Sequence, residues 1–152
     1  GAGRRFELKA AVGGRRVYDD YAHHPTEVEA ALKQARIVAG EGRVIAVFQP
    51  HLFSRTRNFA DRFAKALSHA DEVVLADVYA AREDPVPGVT SELIAQNSFL
   101  QAPFHYVGDC HDAAVFAASI TDPGDVLLLI GAGDIFLQSS TVANVWAQEA
   151  ST

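Results

Sequence analysis

Methionine is absent from the 152 residues, and cysteine and tryptophan occur once each. The single thiol, Cys110, excludes an internal disulfide and any cysteine-based metal cluster, and makes a reducing cytoplasm the simplest setting. Positive charge is scarce: 13 Lys and Arg stand against 19 Asp and Glu, a net −6 with a pI near 5.4. A nucleic-acid partner needs a basic face, so that class is excluded, while a local basic pocket for a small anion is not. No apolar run nears the ~20 residues of a membrane-spanning helix, and no basic-then-apolar leader is present, so no membrane partner is expected. A sequence that opens Gly-Ala-Gly and holds no methionine reads as a domain taken from a longer chain. What the chain does have is apolar side chains, 49% of the total, enough for one domain over residues 1–152 with a real core and too many for disorder.

The pattern is strand and helix in alternation. Phe6 to Val12 and Arg15 to Tyr18 flank Gly13-Gly14, which predicts a tight hairpin with its first strand antiparallel at a sheet edge. Pro25 suits a first helical turn, with Glu27 facing the dipole, and Val28, Ala31, Leu32, Ala35 and Val38 repeat at helical spacing up to a stop at Gly40 and Gly42. Arg43 to Phe48, Glu72 to Val78, Phe104 to Val107 and Asp125 to Ile130 read as strands. Helices are expected from about Phe59 to Ala70, through Gln96 behind Thr90 or Ser91, over Asp112 to Ser119, and over Ile135 to Ala147. This order predicts an α/β, three-layer, doubly wound and mostly parallel sheet of about six strands, similar to dinucleotide-binding folds.

Ligands of such sheets bind beyond the carboxyl ends of the strands. Four segments there carry polar groups: Asp19 to His24, His51 to Arg57, Asp77 to Asp84 and Gly131 to Asp134. Asp19 and Asp20 suit a ribose hydroxyl or, equally, a helix cap. His23 and His24 are adjacent and lack the spacing of a helical zinc pair; with His51 they suit hydrogen bonding or amine handling better than metal. Arg55 and Arg57, read as lying just before a helix, offer forks for a carboxylate or phosphate, with a solvated cap paired to Asp61 as the alternative. Gly131-Ala-Gly-Asp134 fits a phosphate turn or a bare close turn, and it lacks a P-loop lysine. Trp146 reads as packing, Cys110 as an idle thiol, and Arg82-Glu83 as exposed loop.

DDYAHHPTEV, FQPHLFSRTR, DVYAAREDPVPGV and GAGDI, in this order and at these separations, resemble the C-terminal domain of the UDP-N-acetylmuramate–L-alanine ligase family of Mur ligases. The opening GAGRRFE resembles the junction that follows a central domain in these enzymes. The resemblance implies a three-domain ATP-dependent ligase of peptidoglycan synthesis. The absent N-terminal and central domains would hold the UDP-sugar, the ATPase loop and most ligands of Mg2+. The present domain would close over ATP and L-alanine, contain no catalytic residue of its own, and show no turnover alone. Residue by residue, it implies contacts to the amino acid from Tyr21, His23, His51 and Arg55, and contacts to ATP from Asp20, His24 and Arg57, with no metal ligand. Leu52 departs from the arginine that many members carry there, which places more weight on Arg55. Tripeptide-recycling muramate ligases share the first motif but tend to read EPRSNTMK at the second. A non-catalytic nucleotide- or amino-acid-binding module is the alternative from another class. The four amino-acid candidates are expected to line one common cavity.

Overall fold

Two five-residue runs with no polar side chain, Val44–Phe48 (β3) and Val126–Ile130 (β6), are buried along their whole length. Such runs are stable only with a layer on each face. The computed structural model describes residues 6–151 and supplies both layers. The GAGRR opening, likened above to a domain junction, lies outside the described residues. The sheet order is β1-β2-β6-β3-β4-β5, with β1 (Glu7–Val12) antiparallel to β2 (Arg15–Asp20) and every other pairing, including β4 (Glu72–Ala76) and β5 (Phe104–Gly108), parallel. Gly13 (φ 60) and Gly14 (φ 82) supply the positive φ that the hairpin turn demands.

Strand alternation sorts the core into two clusters. Val44, Ala46, Phe48, Leu128 and Ile130 face α1 (Pro25–Ala39) and α2 (Phe53–Leu67), where Phe48 meets Phe63 with ring centroids 5.1 Å apart. Ile45, Val47, Leu127 and Leu129 face α4 (Cys110–Ser119) and α5 (Ser139–Ala150), and Trp146 seals that side. The short α3 (Glu92–Ala95) lies with the first cluster through Ile94. The chain therefore leaves β2 and β3 towards one face and leaves β6, between them, towards the other. This divergence parts the carboxyl-end loops and makes the crevice at which open α/β sheets bind ligands. No described helix is long and apolar enough to cross a membrane.

Several boundaries differ from the sequence reading: β2 runs on to Asp20, β4 stops at Ala76, and three helix starts move. The second helix starts at Phe53, not Phe59; Phe59 (φ −120) instead marks a kink inside it. Arg55 and Arg57 thus sit within the helix, not in a loop before it. Helix α4 starts at Cys110 because Asp109 accepts from the N–H of Asp112 at 2.9 Å. The last helix is preceded by a 3-10 turn, Asp134–Gln138.

Candidate functional site

The site is built from the tips of β2, β3 and β4. Beyond β2 the chain must turn sharply into α1. Asp20, fully buried, accepts from the N–H of Ala22 at 2.9 Å and fixes that turn. His24, with extended backbone, is the N-cap: its Nδ1 accepts from Thr26 N at 3.3 Å, while Glu27 Oε1 accepts from the N–H groups of His23 and His24 at 3.2 Å each. This reciprocal capping box leaves Pro25 at the first turn, where no donor is required. Burial alone would raise the Glu27 carboxyl, but these N–H donors and the nearby His23 outweigh it and hold it below the usual range. The cap is therefore His24, not Asp19 or Asp20.

Tyr21 packs edge-on against Phe136, centroids 5.3 Å apart. The Tyr21 carbonyl lies 3.0 Å from His23 Nδ1. A proton on Nδ1 satisfies that carbonyl and leaves Nε2 as an acceptor. The His23 ring is 6.0 Å from that of His51, which stacks on Tyr79 at 5.3 Å. Pro50 to Leu52 are held on the neighbouring strand tip by Tyr79 N donating to Pro50 O at 2.8 Å and Leu52 N donating to Tyr79 O at 2.9 Å. Arg55 follows in the first turn of α2. Its Nη1 and the Nδ1 of His51 are both buried with no hydrogen-bond partner among the described residues. Arg57 is exposed, and Asp61, the arginine partner in the alternative cap reading, accepts from Asn97 Nδ2 at 2.6 Å.

His23, His51 and Arg55 thus lie together at one strand edge, and Tyr21, half-buried like them, packs on Phe136. The adjoining cleft, open and about 270 Å3, is lined by Gln49, Asp77, Tyr79, Asp109, Cys110 and Asp134 among others, and by none of the four. The glycine turn is a packing device. A Cβ at Gly133 would lie 2.5 Å from the Tyr79 ring and 2.6 Å from Gln49 Oε1. Gln49 instead donates to Asp134 at 2.6 Å and accepts from Ile135 N at 3.2 Å, occupying the place where a phosphate turn would present its N–H groups. Cys110 is inert as a nucleophile: burial, with Asp134 beside it, pushes its thiol up to about 12. The described groups close enough to share a cation are Asp109, His111 and Asp112, exposed at the start of α4, and not the three histidines.

Burial, then the charges of Arg55 and His23, push the His51 imidazole below its ordinary value of 6.5, with Glu83 opposing. His51 is accordingly neutral at pH 7 and able to accept a proton. The unfolded chain takes up this proton first as pH falls. The contribution to stability is therefore complete above about 6.5 and is lost as pH drops through that value towards the folded pKa. An NMR titration is expected to give a His51 midpoint below that of free histidine; a midpoint at or above it would contradict the packing.

The sequence reading missed Glu83, Gln49 and Tyr79. Glu83 Oε1 accepts from Ser54 N at 3.1 Å, and its other oxygen accepts from the Ser54 hydroxyl. Nothing local signals a contact across 29 positions.

The fold and this edge define a doubly wound, mostly parallel α/β domain with histidine and arginine side chains at its strand tips. Residues 4–133 match the family model described as Mur ligase, glutamate ligase domain, and the chain belongs to that family. It is 57% identical over 136 residues to a UDP-N-acetylmuramate–L-alanine ligase of Saccharopolyspora erythraea, across 89% of this chain and 28% of that protein. It is 55% identical over 149 residues to the enzyme of that name in Kineococcus radiotolerans, across 97% and 32%. The solved UDP-N-acetylmuramate-alanine ligase of Thermotoga maritima superposes with a TM-score of 0.68 at 26% identity, over 97% of this chain and 30% of that one. The chain spans less than a third of the length of these relatives.

Proposed function

We propose that this domain is the C-terminal, amino-acid-facing part of a longer cytoplasmic ligase. That enzyme would join L-alanine to UDP-N-acetylmuramate at the expense of ATP, in peptidoglycan synthesis. The observation that carries the reading is the pair of buried, partnerless polar atoms on Arg55 and His51 at a strand edge of a Mur ligase domain. An amino acid offers what both lack, a carboxylate for the guanidinium and an amine for the imidazole. Arg55 would fork onto the carboxylate and orient the amine towards the activated carboxyl. The attacking amine must be neutral, and His51, held neutral by burial and by Arg55, would take its proton. The His23 ring lies 6.0 Å away, centroid to centroid. Tyr21 would border this edge through its contact with Phe136.

ATP supplies the phosphoryl group that activates the muramate carboxyl. Among the residues expected to meet it, Arg57 has the exposed head that a phosphate requires, whereas Asp20 and His24 hold the turn beneath. Histidine and arginine do not suit Mg2+, which prefers carboxylate and water oxygen. The metal and the UDP-sugar therefore fall to other parts of the longer enzyme, and the domain alone is expected to show no turnover. The test is Arg55→Ala in that longer ligase. The KM for alanine is expected to rise roughly 10–100-fold, the loss of a charge-assisted pair, with the KM for ATP within about threefold. Equal increases in both would reject the assignment.

A further inference from the structure

Helix α2 begins without a cap of its own. Leu52, at its N-cap position, makes no side-chain hydrogen bond and holds a positive φ of 72°, where a leucine is strained. Leu52 O accepts from Thr56 N at 3.1 Å and from Thr56 Oγ1 at 2.8 Å. The orphan N–H of Ser54 is satisfied from outside, by Glu83 of the loop after β4. Ala81, two residues before Glu83, is the other described non-glycine residue at positive φ, 54°. Both strained residues therefore flank one contact. Strain of about 1–3 kcal/mol per residue persists only where the surroundings impose it. The surroundings are two main-chain hydrogen bonds between Pro50–Leu52 and Tyr79 on one side, and the Glu83–Ser54 pair on the other.

We propose that Glu83 is a positioning residue for the amino-acid edge: by capping α2 from the opposite loop, it sets where Arg55 and the His51–Tyr79 stack lie. The role rests on the ligase reading above. A carboxylate at this end of α2 also faces the helix dipole favourably. The hydroxyl of Ser54 first, then its N–H and that of Phe53 with Arg55 nearby, hold the Glu83 carboxyl below its ordinary value against the opposing effect of burial.

Two variants of the longer ligase, E83A and E83Q, test this beside histidine NMR spectra of the present chain. Glutamine still accepts from Ser54; alanine does not. E83A is expected to raise the KM for alanine about fivefold or more, the loss of one hydrogen bond that sets the site. Its kcat and its KM for ATP should stay within about twofold, and E83Q should stay within about twofold throughout. The His51 ring resonances, placed by the Tyr79 ring current, should move in E83A and hold in E83Q. An unchanged alanine KM in E83A, a parallel loss in all three constants, or an E83Q as impaired as E83A would overturn the proposal. If the longer enzyme couples no alanine, the ligase reading falls by itself. The His51 resonances then decide the role of Glu83 alone: a shift in E83A sustains it and none refutes it.

Discussion

Trp146→Ala is expected to lower the unfolding free energy by about 3–5 kcal/mol, the range for emptying a buried large aromatic site. Trp146 is fully buried, and its indole N–H donates to Ala118 O at 3.0 Å. The ring thereby ties α5 to the end of α4, while the Arg15 guanidinium lies 5.5 Å from its centroid and links the same helix to β2. On this face α4 contributes the buried alanines Ala113, Ala114, Ala117 and Ala118, and Trp146 is the largest fully buried side chain. Little can collapse into the void. Trp146→Phe keeps most of the apolar area and loses the hydrogen bond and part of the volume, and should cost clearly less. Urea unfolding followed by circular dichroism checks both, because the substitution removes the sole tryptophan fluorophore. A loss under about 1 kcal/mol for the alanine variant would mean that α5 is not docked as described.

The layers and the strand order at the hairpin edge were legible because each rests on a local pattern. Val44 to Phe48 and Val126 to Ile130 carry no polar residue, and the Gly13-Gly14 pair permits one kind of turn. The start of α2 was not legible. Its cap is Glu83, brought in by the fold from 29 positions away, and its N-cap residue is a leucine held at positive φ, which no helix-start rule anticipates. Arg55 and Arg57 were consequently placed in a loop. In the helix their positions separate, one half-buried beside His51 and the other exposed. The start of α4 is a different case. Asp109 is a regular N-cap three residues before Asp112, so this start is a local signal that the sequence carries. The histidines were correctly singled out, but their division of labour was not visible. Adjacent residues in an extended turn point apart, so His24 caps α1 while His23 faces His51. The cleft beside the four candidates was not visible either, because Gln49 and Tyr79, which help to line it, are ordinary residues in sequence.

Gly131→Ala is expected to cost roughly 2–4 kcal/mol, the sum of overpacking and a disfavoured backbone conformation. Gly131 ends β6 at φ 151°, and an added Cβ would stand 2.7 Å from Ile135 Cγ2 and 3.0 Å from the Gln49 carbonyl oxygen. Neither neighbour gives way easily. Ile135 is fully buried, and the Gln49 main chain is fixed by donating to Ile130 O at 3.0 Å. Gly131 itself donates to Asp20 O at 3.1 Å, so the residue is clamped between the tips of β2 and β3 that carry the site. Gly133→Ala behaves differently. Its Cβ meets the Tyr79 ring and the end of the Gln49 side chain, and Tyr79 is 38% exposed. That variant should lose less stability but open the His51–Tyr79 stack, which NMR of the His51 ring reads directly. The contrast also separates the two meanings of a Gly-x-Gly turn. A phosphate cradle would lose ligand affinity in both variants with little change in folding. A packing turn loses folding free energy in one and site geometry in the other. Urea unfolding of the two proteins, with a Gly131→Ala loss below about 0.5 kcal/mol as the contrary result, decides between them.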